Sequence, residues 1–198
     1  TAEPTVEPTD EPEVLKNGLT LDADGVWRYY EDGVFAVYYT GIVPYGDGRF
    51  YVENGLLADT RNGITLVGDT WYFLAYGQVQ AYTGLAEYDG AWFYLKDGIL
   101  DTALNTLLDY DGGKFIVAAG RIVSEYSGLF QNSTALLNGD GQWYFIASGQ
   151  VQTAYTGLAQ YDGAWFYLMS GILAQDYTGT VEYDGAAFDV INGQVINH

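Results

Sequence analysis

Cysteine is absent from this chain, which excludes disulfides, thiolate nucleophiles and Cys-ligated zinc. Histidine occurs once, as the C-terminal His198, so neither an imidazole general base nor a histidine metal site can be assembled. Basic residues are scarce: 7 Lys plus Arg stand against 26 Asp plus Glu, a net charge of -19. Such a surface repels phosphate backbones and anionic lipid, so no nucleic acid partner is expected. No apolar run approaches the roughly 20 residues that span a bilayer, and membrane insertion is not expected either. A charged segment leading into an apolar one is likewise missing from the start, so the expectation is a removed signal or a piece of a larger surface protein.

What remains is glycine and aromatic residues: 26 Gly, 19 Tyr, 9 Phe and 5 Trp in 198 residues, of which 48% are hydrophobic. A chain of this length and apolar content buries a substantial core. Aromatics set between glycines point to short strands joined by tight turns. Residues 1–13, TAEPTVEPTDEPE, hold three of the four prolines and lack the apolar content that would offset ordering, so they are read as a disordered acidic Pro/Thr/Glu linker.

From residue 14 to 198 the chain repeats. YTGLAEYDGAWFYLKDGIL at 82–100 returns as YTGLAQYDGAWFYLMSGIL at 155–173. The glycine after each aromatic strand falls at Gly33, Gly55, Gly77, Gly98, Gly120, Gly149, Gly171 and Gly193, with intervals of 22, 22, 21, 22, 29, 22 and 22 residues. Eight repeats follow, and the long interval predicts an inserted, protruding loop near 130–139. Asp-Gly and Asn-Gly between apolar runs are the strongest hairpin signals in a sequence, so each repeat reads as a β-hairpin with a short returning strand. The predicted fold is all-β, a β-solenoid of tandem hairpins. Pairing the repeats into 44-residue blades gives a four-bladed β-propeller as the alternative, although the unpaired YTG series of repeats six to eight speaks against strict pairing.

Alternation along the aromatic strand separates two faces. One carries Arg28/Tyr30, Phe50/Val52, Tyr72/Leu74, Phe93/Leu95, Phe115/Val117, Tyr144/Ile146, Phe166/Leu168 and Phe188/Val190, apolar except at Arg28, and is assigned to the core. The other carries Trp27/Tyr29, Arg49/Tyr51, Trp71/Phe73, Trp92/Tyr94, Lys114/Ile116, Trp143/Phe145, Trp165/Tyr167 and Ala187/Asp189, accepts charge, and is expected to be solvated. Its aromatic members, Trp27, Tyr29, Trp71, Phe73, Trp92, Tyr94, Trp143, Phe145, Trp165 and Tyr167, are the candidate ligand platform, while packing between neighbouring repeats is the plainer role for the same rings.

The order TG, (N/D)G, W(Y/F)(Y/F)L and xGxL is similar to the cell-wall-binding repeats of Gram-positive secreted proteins, shared by choline-binding, glucan-binding and clostridial toxin repetitive domains. The resemblance covers residues 14–198. It implies a solenoid whose ligands lodge between consecutive hairpins and a non-catalytic attachment role on a bacterial surface. In choline-binding members the Trp and the second aromatic of the strand join a Trp of a GW dipeptide in an aromatic cage. Trp71/Phe73, Trp92/Tyr94, Trp143/Phe145 and Trp165/Tyr167 match the first part, whereas the GW positions here are Ile42, Ile64, Leu85, Leu129 and Leu158.

Paired carboxylates such as Asp22/Asp24, Asp109/Asp111 and Asp162/Glu182 could in principle serve glycoside hydrolysis, but they recur in turns and read as structural. DADG at 22–25, GDG at 46–48, DYDG at 109–112 and NGDG at 138–141 resemble calcium loops superficially, yet none continues into EF-hand spacing. No catalytic set, metal site or cofactor is expected. The expected function is attachment of a secreted or surface protein to a cell-wall polymer or glycan. A passive spacer without a ligand is the competing reading.

Overall fold

The computed structural model describes residues 15–133 and 135–197, so the tract read as a linker over 1–13 lies outside the described residues. These residues form 24 strands, with no helix among them. Their contacts divide the chain between Gln80 and Ala81 into two compact units, the first holding repeats one to three and the second repeats four to eight.

Repeat four shows how the sequence sets the local structure. A first strand, Gly84–Tyr88, pairs with the central strand Ala91–Lys96, which pairs in turn with a two-residue return strand, Ile99–Leu100. Both turns are Asp-Gly, with φ of 50° and 73° at Asp89-Gly90 and 50° and 76° at Asp97-Gly98. Two consecutive positive φ angles make the primed turn whose twist matches paired strands, which is why Asp, Asn or Ser before Gly marks these positions. The same triplet recurs in repeat two, over Gly41–Tyr45, Gly48–Glu53 and Leu56–Leu57, and in repeat seven, over Gly157–Tyr161, Ala164–Met169 and Ile172–Leu173.

Within each unit one repeat continues into the next through backbone pairing. The central strand of a repeat meets the return strand of its successor at Arg28↔Leu56 and Phe50↔Gln78 in the first unit. In the second unit the junctions are Phe93↔Arg121, Phe115↔Gln150, Tyr144↔Ile172 and Phe166↔Gln194. At each the amide of the central strand reaches the carbonyl of the next anchoring glycine, as in Tyr29 N to Gly55 O and Phe145 N to Gly171 O, both 2.8 Å. A succession of this kind is a β-solenoid; the blade alternative would require separate sheets. It also explains the regular glycines, because a Cβ on Gly55 would lie 2.7 Å from Ala36 O and one on Gly171 2.5 Å from Gln152 O, both inside van der Waals contact.

The assigned core face is the observed core. Val52 and Leu74 in the first unit, and Leu95, Val117, Ile146, Leu168 and Val190 in the second, are fully buried, and Val79, Ile122, Val151 and Val195 of the return strands join them. Each such side chain contributes about 1.5–3 kcal/mol of apolar burial. Arg28, the exception, forks onto Asp24 at 2.8 Å and 2.9 Å and also reaches Asp22 at 2.8 Å, so its charge is matched where no earlier described repeat covers it.

The opposite face departs from expectation. It is not simply solvated: Tyr51 and Ile116 are each only 6% exposed. Ile116 packs against Tyr126, the tyrosine of the following turn, whereas Tyr51, followed by Arg61 at that place, is covered by Leu74, Val79 and Ile42. Elsewhere the turn tyrosine closes over the second residue of this face. Tyr39 lies 4.3 Å from Tyr29, Tyr155 4.5 Å from Phe145 and Tyr177 4.8 Å from Tyr167, ring centre to ring centre. The residues at the family's GW positions pack there as well, with Ile64, Leu85, Leu129 and Leu158 buried.

The long interval places residues 132–142 between the strands Gly128–Gln131 and Trp143–Ala147. Leu137 is largely exposed, but the segment is tied back to repeat five, where Leu137 N donates to Asn105 O and the Asn138 amide takes both the N–H and the C=O of Leu107. Asn132 is buried beneath it and donates to Asn138 O and to Asp140.

Candidate ligand-binding site

The ten candidate aromatics do not form one exposed ladder. Trp92 alone among them is exposed, at 46%, and the other nine are half-buried. Trp27 sits edge-on to Tyr45, and Trp143 edge-on to Tyr161, each pair 4.8 Å apart. Trp165 and Tyr167 pack against the cluster of Leu158, Val181, Val190 and Val195. Tyr94 packs on Leu85, Val117 and Ile122. Trp71 and Phe73 pair across their hairpin with Leu66 and Ile64. Where the Trp position holds a cation, the junction is differently used: Arg49 lies over the Tyr72 ring at 6.0 Å, and Lys114 pairs with Asp109 at 2.7 Å.

The exposed Trp92 opens onto a pocket of about 330 Å³, lined by Leu85, Trp92, Tyr110, Asp111, Gly113, Phe115, Ile122 and Gln150. Each residue is placed by the repeat geometry. Leu85 and Trp92 come from the two strands of repeat four, Tyr110 precedes the turn of repeat five, Phe115 stands on its central strand and Ile122 on its return strand. Gln150, from the return strand of repeat six, pairs with Phe115. Three aromatic walls on an aliphatic floor, with a carboxylate and an amide among the lining groups, suit a small apolar or cationic group or the face of a sugar. A homologous but smaller pocket of about 170 Å³ lies between repeats six and seven, lined by Leu129, Trp143, Tyr161, Phe166 and Leu173.

Sequence reasoning placed Trp92 here but missed its partners. The strand's second aromatic, Tyr94, turns to the core cluster, and the tyrosine of the next YDG turn supplies the facing ring. The signal was present in the recurrence of Tyr before Asp-Gly, which the turn chemistry alone does not require. Tyr110 is fixed by a 2.9 Å hydroxyl contact with Tyr82, whose own hydroxyl lies 2.8 Å from Leu85 O. The hydrogen bond with Tyr110, helped by desolvation, pushes the Tyr82 phenol up to about 12. The Asp22 carboxylate is engaged in structure, held far below the ordinary range by Lys16, then Tyr30 and Arg28. No group of three or more metal-ligating side chains occurs among the described residues.

A solenoid of hairpins with an aromatic pocket between consecutive repeats is the architecture set beside known proteins, and its similarity to a family model is confined to individual repeats. The choline-binding repeat family model matches three of them, at residues 38–57, 81–101 and 154–172. Among curated proteins none matches the chain by sequence. Solved structures similar to it include CbpJ from Streptococcus pneumoniae, at 21% identity over 91% of this chain and 58% of that one, TM-score 0.42. Choline-binding protein F from Streptococcus pneumoniae is 21% identical over 92% of this chain and 58% of its own, TM-score 0.40. The pneumococcal cell wall endolysin from phage Cp-1, complexed with choline, is 16% identical over 80% of this chain and 37% of its own, TM-score 0.24. The chain thus spans 58% of the length of the first two.

Proposed function

We propose that this chain is a non-catalytic attachment module that holds a larger secreted or surface protein on a Gram-positive cell-wall polymer or glycan, and that the Trp92 pocket is its principal contact. The observation that supports this reading is the 330 Å³ pocket of Trp92, Tyr110 and Phe115, formed between consecutive repeats, whose Leu85 and Trp92 lie in a segment, 81–101, that the choline-binding repeat model matches. An exposed tryptophan beside an acidic residue attracts a cationic substituent by cation–π interaction worth about 0.5–2 kcal/mol, and its face equally stacks on a sugar. Contacts that weak hold a protein on a repetitive polymer when several act together through effective concentration.

The half-burial of the other tryptophans favours a second reading, in which the rings only pack the array and the module is a spacer. The deciding experiment is pull-down on purified cell walls with and without choline, alongside a glycan array, using the chain and Trp92→Ala. Loss of binding in a folded Trp92→Ala variant supports attachment. Absence of binding by the unaltered chain to every wall and glycan leaves the spacer.

A further inference from the structure

Four junctions within the two units bring a tryptophan against the following repeat, and they differ at two points. The first is the tyrosine before the hairpin turn, which is Gly46-Asp47 in repeat two and Asp-Gly in repeats five, seven and eight. At the junctions of Trp27 and Trp143 this ring, Tyr45 or Tyr161, docks edge-on against the tryptophan at 4.8 Å. At the junctions of Trp92 and Trp165 its hydroxyl instead meets the YTG tyrosine of the preceding repeat, Tyr110 with Tyr82 at 2.9 Å and Tyr183 with Tyr155 at 3.4 Å. The ring then lies over the YTG glycine, where a Cβ on Gly84 would sit 3.0 Å from Tyr110 and one on Gly157 2.8 Å from Tyr183.

Neighbouring residues account for the two positions. Repeat one has Lys16 where repeat four has Tyr82, so Tyr45 has no phenol partner at that place. Repeat six does have Tyr126, but Phe130 replaces the alanine found at Ala86 and Ala159, and its ring lies 5.9 Å from Tyr126.

The second point is the residue after that turn, which is Gly48 or Gly113 at two junctions and Ala164 or Ala186 at the others. With glycine, the phenylalanine two residues on folds back into the space a methyl would fill: a Cβ on Gly113 would lie 2.6 Å from the Phe115 ring and 3.0 Å from Gln150 Nε2. Of these four junctions, the one between repeats four and five combines a tethered tyrosine with a folded-back phenylalanine. Its pocket has about 330 Å³ against 170 Å³ at Trp143, and its tryptophan is the exposed one.

We infer that Tyr82 and Gly113 are positioning residues that hold this pocket open, Tyr82 by tethering Tyr110 away from Trp92 and Gly113 by giving Phe115 room to lie back. The array then carries one preorganised site rather than a series of equal ones. The inference rests on reading this pocket as the binding site.

The test is oxidative footprinting of the full chain with N-bromosuccinimide, read tryptophan by tryptophan by peptide mass spectrometry, for the unaltered chain, Tyr82→Phe and Gly113→Ala. Both variants should fold, since alanine stands at the Gly113 position in Ala91, Ala164 and Ala186, and Leu104 stands at the Tyr82 position. Trp92 should oxidise fastest in the unaltered chain and several-fold more slowly in each variant, with Trp143 and Trp165 unchanged. Equal Trp92 rates in all three proteins overturn the inference. Wall binding is measured on the same samples. Shifted rates with no wall binding by the unaltered chain uphold the positioning roles and refute the attachment reading. Binding that persists undiminished in variants with shifted rates overturns the claim that this pocket is the preorganised site.

Discussion

The junction after repeat four and the junction after repeat five share one backbone plan and differ in what fills it. After repeat four, Trp92 faces a pocket left between Tyr110 and Phe115. After repeat five, Lys114 stands at the tryptophan position, and Tyr144, buried where Phe115 would correspond, packs with Leu107, Ile116, Ile146 and Val151 into a closed cluster. The scaffold therefore tolerates either a ring or a cation at that position, because the backbone pairing and the core residue three before the glycine hold the junction without it. The fold of a repeat does not depend on the residue at its tryptophan position.

That independence can be broken first at the core. Leu95→Ala and Ile146→Ala remove fully buried side chains at the same repeat position, the first from the repeat that carries Trp92 and the second from the closed cluster, and each should cost about 2–5 kcal/mol in urea unfolding. A much smaller loss at Leu95 would mean that the open junction is not held by its core. Next in size, Trp92→Ala should weaken adhesion to purified cell wall about tenfold, as judged by sedimentation assays, with stability nearly unchanged. Lys114→Ala in the same assay should leave adhesion as it was.

An alkaline titration sharpens the contrast further. The Tyr82 phenol is held protonated more tightly in the folded chain, at about 12 against an ordinary 10.0, so its contribution is complete below pH 10.0 and is lost as pH rises toward 12. Melting temperature should fall across that window, and Tyr82→Phe should fall less steeply. The smallest effect belongs to the Lys114–Asp109 pair: with Asp109 well exposed, Lys114→Ala should change stability by less than about 1 kcal/mol by thermal melting.

Much of the fold was legible in the sequence because it depends on local chemistry. Asp89-Gly90 and Asp97-Gly98 announce their turns, and the apolar residue three before each glycine announces the core. The environment of the opposite face was not legible, since Tyr39 covers Tyr29 only after the chain has turned into the next repeat. Trp92 could be named as a candidate from its place on the strand. Tyr110, Gly113 and Phe115 could not, because their role depends on a contact between residues some twenty positions apart and on a missing methyl group. The tether from Tyr82 to Tyr110 is a hydrogen bond across 28 residues that no periodicity displays.

The pocket's shared construction bears on how such arrays evolve. Residues 82–100 and 155–173 differ only at Glu87/Gln160, Lys96/Met169 and Asp97/Ser170, so they are close copies of one ancestral segment. Yet the copy containing Trp92 is followed by Gly113 and the copy containing Trp165 by Ala186. Duplication of a repeat thus transmits half of a pocket, and whichever neighbour it lands beside opens or closes it. Shuffling the order of intact repeats, without altering a single codon inside them, is enough to open or close such a pocket.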